Sequence, residues 1–288
     1  PLRRLSAAAV RVRRSVKNRE EIPDFSDRQD EIGNLSVALR EMTNALYARI
    51  EAIESFAADV SHELKNPLTS LRSAVETLPL ARNEESRERL LEVIQHDVRR
   101  LDRLITDISD ASRLDAELVR EDAELVDLKK LIGEIATMSG DVGHHHKPIK
   151  VDFKVVNGRG AEPDFQVQGH DLRLGQVFTN LIENARSFVP EKGGRLVITL
   201  SRPGDRVIIT FDDNGPGIRA EKIDRIFERF YTDRPAGEAF GQNSGLGLSI
   251  SRQIIEAHGG TLTAENIAGA KPGEVRGARF VVTLPAEG

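Results

Sequence analysis

Four short stretches of this 288-residue chain carry residue types at spacings that can do chemistry. The first reads Phe56-Ala-Ala-Asp-Val-Ser-His62-Glu63-Leu-Lys-Asn66-Pro67. Val60 and Leu64 stand four apart and point into a helical core, which leaves His62 and Glu63 off that seam. An exposed imidazole beside a carboxylate can be a nucleophile whose proton is handled by its neighbour. A lone His on a helix surface is more often a solvated side chain, so this stretch asks for a second one elsewhere. Pro67 lacks an N–H and predicts a kink one turn past the His.

The other three stretches lie downstream. Asn180-Leu-Ile-Glu-Asn184 puts two amides on one helix face, opposite Val177, Leu181 and Ala185. Paired amides can offer oxygens to Mg²⁺, a hard ion that takes oxygen ligands alongside phosphates, although on most helices they are plain surface. Asp212-Asp213-Asn214-Gly215-Pro216-Gly217 follows a strand pattern. Its glycines permit close backbone approach to a ligand, and Asp213 could accept the amino hydrogens of adenine; an ordinary turn reads the same way. Gly241-Gln-Asn-Ser-Gly245-Leu246-Gly247-Leu248 opens a helix, where backbone N–H groups and the helix dipole favour phosphate.

The elements that must position these groups change character along the chain. Up to residue 120 the pattern is helical. Leu2, Leu5, Ala9, Val12 and Val16 step by three and four, as do Ile32, Leu35, Leu39, Met42 and Leu46 across the irregular connector 17–30. Each helix is too short and narrow-striped to be stable alone; two of them from each of two chains would make a parallel four-helix bundle, and a generic helical hairpin reads equally well from the periodicity. After Leu46 the phase slips to Ile50 and Ile53, a stutter that can absorb or transmit helix rotation. Leu91, Ile94, Val98, Leu101, Ile105 and Ile108 form the seam of a second long helix after a break at Leu80 to Glu85. Two such helices from each of two chains give a dimeric four-helix bundle. From Asp122 onward strands appear at 149–156, 196–200, 207–211, 261–264 and 279–284, with helices at 169–188 and 246–257: an α+β layer with helices on one face of a mixed sheet.

Composition narrows the class. A net charge of -5 gives no general attraction to nucleic acid, and zero cysteines exclude disulfides, thiolate metal sites and cysteine nucleophiles. No apolar run approaches the ~18–20 residues of a membrane span. The chain opens on Pro1 without an initiator Met, so a fragment of a longer protein is expected. His144, His145 and His146 could hold a metal but read more simply as a polar loop.

The string around His62 resembles the H-box of sensor histidine kinases, and the three downstream stretches, in this order, resemble the N, G1 and G2 boxes of the GHKL (Bergerat) ATPase fold. Ile226-Phe227-Glu228-Arg229-Phe230-Tyr231 resembles that family's F box, and 232–244 its lid. Pro1, the connector and Asp30-Glu31-Ile32-Gly33 resemble a HAMP domain. The strings Asn180 to Phe188 and Thr232 to Pro235 are similar to envelope- and acid-responsive members of the kinase family. The resemblance implies a multidomain protein: HAMP relay over 1–53, helical dimerisation and phosphotransfer hairpin over 54–121, and a two-layer ATP-binding domain over 122–288.

It also implies ATP and Mg²⁺ as substrate and cofactor, with Asn184 on the metal. Asn180, Asp213, Gly215, Gly217, Phe227, Phe230, Tyr231, Gly245, Leu246 and Gly247 would surround the nucleotide. His62 would take the γ-phosphoryl group, Glu63 would orient the ring and accept its other proton, and Asn66 could align a water for the reverse, phosphatase reaction. The chain departs from the family at Ser187, Thr232 and Asn243, so phosphate charge falls to Arg186 and Arg234. The implied partners are a second copy and the receiver domain of a response regulator, with an upstream transmembrane helix and the cytoplasmic side of an inner membrane as setting. The alternatives are a GHKL ATPase that uses ATP only as a conformational clamp, and a non-catalytic dimeric relay.

Overall fold

The computed structural model describes residues 1–14, 19–120, 123–140, 148–156, 164–231, 244–269 and 274–287. The chain divides into two compact units, Pro1–Asn66 and Pro67–Gly288.

In the first unit, helix α1 (Leu2–Arg14) and the opening of helix α2 (Glu31–Thr77) bury a small core of Leu5, Ala8, Val12 and Ile22 with Phe25, Ile32 and Leu39. The connector has no periodicity because its backbone is held by side chains of α2. Ser36, fully buried, accepts from the Phe25 N–H at 3.1 Å and donates to the Pro23 carbonyl at 2.8 Å. The Tyr47 hydroxyl accepts from the Glu20 N–H at 2.9 Å. Asp30 caps α2 by accepting from the Gly33 N–H at 3.1 Å, and its pairing with Arg28 holds the carboxyl down at about 2. Gly33 is required there: a Cβ would stand 2.1 Å from the Arg28 carbonyl oxygen. Leu2, Leu35, Met42 and Leu46, the other half of the expected seam, stay exposed.

Pro67, where the sequence predicts a kink, lies inside helix α2. A short 3₁₀ turn at Leu78–Leu80 ends the helix, and helix α3 (Glu84–Arg120) follows, its first turn capped by Asn83 accepting from the Ser86 N–H at 2.8 Å. Along this hairpin Leu104 and Ala74 are buried, but Leu68, Val75, Leu91, Val98 and Ile105 are exposed.

The rest of the second unit is the α+β layer: strand β1 (Glu124–Asp127), helix α4 (Leu128–Gly140), strands β2 (Lys150–Val156) and β3 (Gln166–Gly169), helix α5 (Asp171–Phe188), strands β4 (Arg195–Ser201) and β5 (Arg206–Asp213), helix α6 (Gly247–Ala257), and strands β6 (Thr261–Ala268) and β7 (Val275–Pro285). Five strands form a mixed sheet in the order β2-β4-β5-β7-β6, parallel only between β2 and β4. β1 and β3 pair separately, and neither they nor α4 is expected from the sequence. Alternating Leu196, Ile198, Leu200 and Val207, Ile209, Phe211 point to the helical layer, where Leu174, Val177, Phe178, Leu181 and Ile182 of α5 meet them; Phe178 stacks on Phe211 at 6.0 Å.

The two helices are pinned at one end by a pair of imidazoles. The His258 ring, capping α6, donates from Nδ1 to the Ile254 carbonyl at 2.7 Å and accepts at Nε2 from the His170 N–H at 3.1 Å. Burial holds His258 below its ordinary value, aided by the nearby His170, with the Ile254 hydrogen bond acting the other way. The unfolded chain therefore binds a proton that the folded chain refuses. Stability from this group is present above pH ~6.5 and is lost as pH falls through the lowered value. Thermal unfolding between pH 7.5 and 5 should show a fall in the parent that is shallower in a His258→Gln variant; equal slopes would refute this.

Candidate active site

His62 lies on the solvent side of α2, with the seam residues Phe56, Val60 and Leu64 half-buried on the other side. Glu63 is half-buried, and Asn66, one turn on from His62, is exposed on the same face. The pattern of types at 62, 63 and 66 thus produces the presentation that a nucleophilic imidazole needs.

In the α+β unit, two of the downstream stretches meet. The side-chain amide Nδ2 of Asn180 on α5 donates to the Ser251 hydroxyl of α6 at 3.5 Å, and a Cβ on Gly247 would lie 3.7 Å from the Asn180 side-chain amide carbon. The first and third downstream stretches are therefore neighbours in space. Asn184, a turn further along α5, is half-buried, and its amide has no hydrogen-bond partner among the described residues.

At the end of β5, adjacent aspartates take different roles. Asp212 is locked by Arg279 of β7 in a two-bond ion pair at 2.7 and 2.6 Å, which raises the Arg279 guanidinium well above its ordinary value. Asp213 is buried. Its Oδ1 accepts from the N–H groups of Gly215 at 2.8 Å and Ala278 at 3.2 Å, leaving Oδ2 with no donor among the described residues. Burial pushes the Asp213 carboxyl up, against those two hydrogen bonds that lower it. Gly277 makes this possible: a Cβ there would stand 1.8 Å from the Asp213 carbonyl oxygen. A lone glycine inside a strand pattern signals such an approach, but the expected strand began at 279 and passed over it.

The lid's two ends are clasped. Phe230 adopts φ 59, the one non-glycine residue in the left-handed region among those described, and its N–H donates to the Gly245 carbonyl at 2.9 Å. Gly245, at φ +76, leaves no room for a Cβ, which would come within 2.7 Å of the Phe230 backbone. Phe227 is buried between the Arg252 guanidinium, 3.6 Å from its ring centre, and the Phe280 ring. It anchors the segment rather than lining open space. Tyr231 is half-buried under Arg225 at 5.0 Å. Leu246 caps α6 with its N–H donating to the Ser244 hydroxyl at 3.1 Å, and the first-turn N–H groups beyond it have no intrahelical acceptor. Among the described residues α3 meets this layer through Asp107 with the Ser244 hydroxyl and through Gln176 donating to Asp110 at 3.2 Å.

Arg186 is not brought to this cluster. Two residues beyond Asn184 is about 200° around a helix. Its buried guanidinium donates to the Ser139 carbonyl of α4 at 2.7 Å and pairs with Glu183 at 3.2 Å. Replacing Arg186 by Met should lower thermal stability by about 1–3 kcal/mol while leaving nucleotide affinity unchanged. A selective loss of affinity would restore the phosphate role expected from the sequence. Arg234 and His144 to His146 lie outside the described residues, as do 232–243 of the lid.

With this geometry in view, comparison with known proteins assigns the class. Residues 52–117 match the His Kinase A (phospho-acceptor) domain, and 169–288 match the histidine kinase-, DNA gyrase B- and HSP90-like ATPase family. With these two domains in one chain, the chain belongs to the sensor histidine kinase family. It is 72% identical over 287 residues to the sensor protein ChvG of Rhizobium meliloti, covering 99% of this chain and 50% of that protein. The chain thus spans about half the length of the curated relatives it matches. Full-length ShkA solved in complex with AMPPNP has a TM-score of 0.51 and 25% identity, covering 79% of this chain and 45% of ShkA. Histidine kinase ThkA, solved in complex with response regulator protein TrrA, shares the fold with a TM-score of 0.59 at 24% identity, covering 83% of this chain and 64% of ThkA.

Proposed function

We propose that this chain is the relay, phosphotransfer and ATP-binding portion of a membrane-anchored sensor kinase that phosphorylates itself on His62. Residues 1–53 would serve as a HAMP relay, 54–121 as the dimerising phosphotransfer hairpin and 122–288 as the ATP-binding domain. The observation that carries the reading is that Asn180 and Gly247 meet, beside Gly245, in the α+β unit that also buries Asp213, in a chain that exposes His62 on a helix face.

The residues fit Mg-ATP. The free Oδ2 of Asp213 is an acceptor suited to an exocyclic amino group, and the glycine turn 215–217 lets backbone approach a flat base. The unpaired N–H groups that open α6 suit phosphate. Asn184 offers an amide oxygen for Mg²⁺, which when bound neutralises phosphate charge. Among the described residues no cluster of His, Cys, Asp and Glu could hold a metal by itself, as suits an ion that takes most of its ligands from phosphates and water.

In the reaction, a neutral ring nitrogen of His62 forms a bond to the γ-phosphorus while the bond to the β,γ-bridging oxygen breaks and ADP leaves. Glu63 orients the ring and takes the proton from its other nitrogen. The phosphoryl group then passes to an Asp of a response regulator's receiver domain, and Asn66 aligns a water for the opposing dephosphorylation. The exposed Leu68, Val75, Leu91, Val98 and Ile105 on the hairpin support a homodimer that covers them. Among the described residues no helix is long and apolar enough to cross a membrane, so anchoring would come from an upstream helix, with this portion on the cytoplasmic side. The test is incubation with Mg²⁺ and ATP labelled on the α- or the γ-phosphate. Alkali-stable, acid-labile label from γ alone supports the kinase; nucleotide binding without label points to a conformational clamp.

A further inference from the structure

The turn that follows Asp213 is held at both ends, and only one end involves a residue so far given a role. At its entry the Gly215 N–H is tied to Asp213. At its exit, Asn266 of β6 grips both backbone groups of Ile218: Oδ1 accepts the Ile218 N–H at 2.7 Å, and Nδ2 donates to the Ile218 carbonyl at 2.6 Å. Asn266 stands opposite Ala278 in the β6–β7 ladder, and Ala278 supplies the second N–H to Asp213. One rung of the sheet therefore fixes both the carboxylate and the far end of the turn. Gly217, at φ +77, lies against this rung, where a Cβ would meet the Asn266 amide oxygen at 2.8 Å. The ladder is irregular immediately beyond, at Ile267 and Ala268. A planar amide offers an acceptor and a donor on separate atoms at this reach: aspartate would set an oxygen against the Ile218 carbonyl, the shorter serine hydroxyl must serve both groups from one atom, and alanine offers neither.

We infer that Asn266 is a positioning residue for the nucleotide, clamping the 215–218 turn so that its backbone and Asp213 present one fixed edge to the base. The inference rests on the nucleotide reading above. An unclamped turn must be ordered at each binding event, which costs affinity.

The test uses the full chain and its Asn266→Ala and Asn266→Ser variants, with calorimetric titration by Mg-ADP and with adenosine as a competing ligand. For Asn266→Ala the account expects about tenfold weaker binding, by the same factor for ADP and adenosine because the turn meets the base and not the phosphates. Binding stoichiometry stays at the parent value, and Asn266→Ser lies between. Parent-like affinity in Asn266→Ala overturns the inference. So does a loss confined to the fraction of chain able to bind, with affinity unchanged, since that marks a role in folding only. If Asn266→Ala fails to fold, Asn266→Ser carries the decision by the same criteria. A parent chain that binds neither ligand overturns the nucleotide reading and this inference with it.

Discussion

Replacing His62 by Gln should bring acid-labile labelling from γ-labelled ATP to zero while leaving Mg-ATP affinity at the parent value. Glutamine keeps length and polarity on the exposed face of α2 but has no nucleophilic nitrogen, since its amide lone pair is delocalised. His62 is exposed, so the change removes no core contact and the helix should persist with little change in unfolding temperature. The pairing of the two readouts matters. A clamp ATPase would be indifferent to His62, and a pure relay would show neither label nor binding. Residual acid-labile label in the variant would move the acceptor to another histidine, and lost affinity would mean that His62 contributes to the nucleotide site itself.

The second large effect is expected at Asp213. Changing it to Ala removes the acceptor for the base and also strands the Gly215 and Ala278 N–H groups. A hydrogen bond to a charged partner contributes about 1.5–3 kcal/mol, so affinity for Mg-ATP should fall by roughly 10- to 100-fold, and labelling at limiting ATP with it. Asp213→Asn separates the two roles. It retains an acceptor for the turn, so its stability should approach the parent's, yet its amide cannot accept on both sides and binding should stay weak. The ionised carboxylate is the acceptor, and burial raises its titration above that of an exposed Asp. Binding should therefore weaken as pH falls through that raised value, at a less acidic pH than an exposed Asp would give. Parent-like affinity in Asp213→Ala, measured by calorimetry, would remove this residue from the base site.

Much of this was legible in the residues because the signals were long or conformationally exclusive. The seams of α2 and α3 repeat over many turns, and the alternation in β4 and β5 is strict. The glycines at 245 and 217 stand where a positive φ is needed. What escaped was short or non-local. β1 and β3 have four residues each, too few for a period, and they find one another across 124–169. Helix α4 buries Leu128, Ile132 and Ala136 at a helical spacing that was there to be read. Arg186 was expected at the phosphates from its nearness to Asn184 in sequence, but two residues is about 200° around a helix, and its guanidinium meets Ser139 and Glu183. Gly277 carried a signal, a lone glycine in a strand pattern, that a strand expected from 279 passed over; Asn266 was silent because it acts on backbone atoms of a segment about fifty residues away, which no local pattern reports.

The most direct measurement is to locate the phosphoryl group. The parent chain would be incubated with Mg-ATP, digested under neutral to alkaline conditions that preserve phosphohistidine, and its peptides sequenced by mass spectrometry. The account predicts one phosphorylated site, His62, on the peptide that also carries Glu63 and Asn66. Phosphate on Ser61, His96, His170 or His258 instead, or a chain that binds Mg-ATP and remains unmodified, would contradict it.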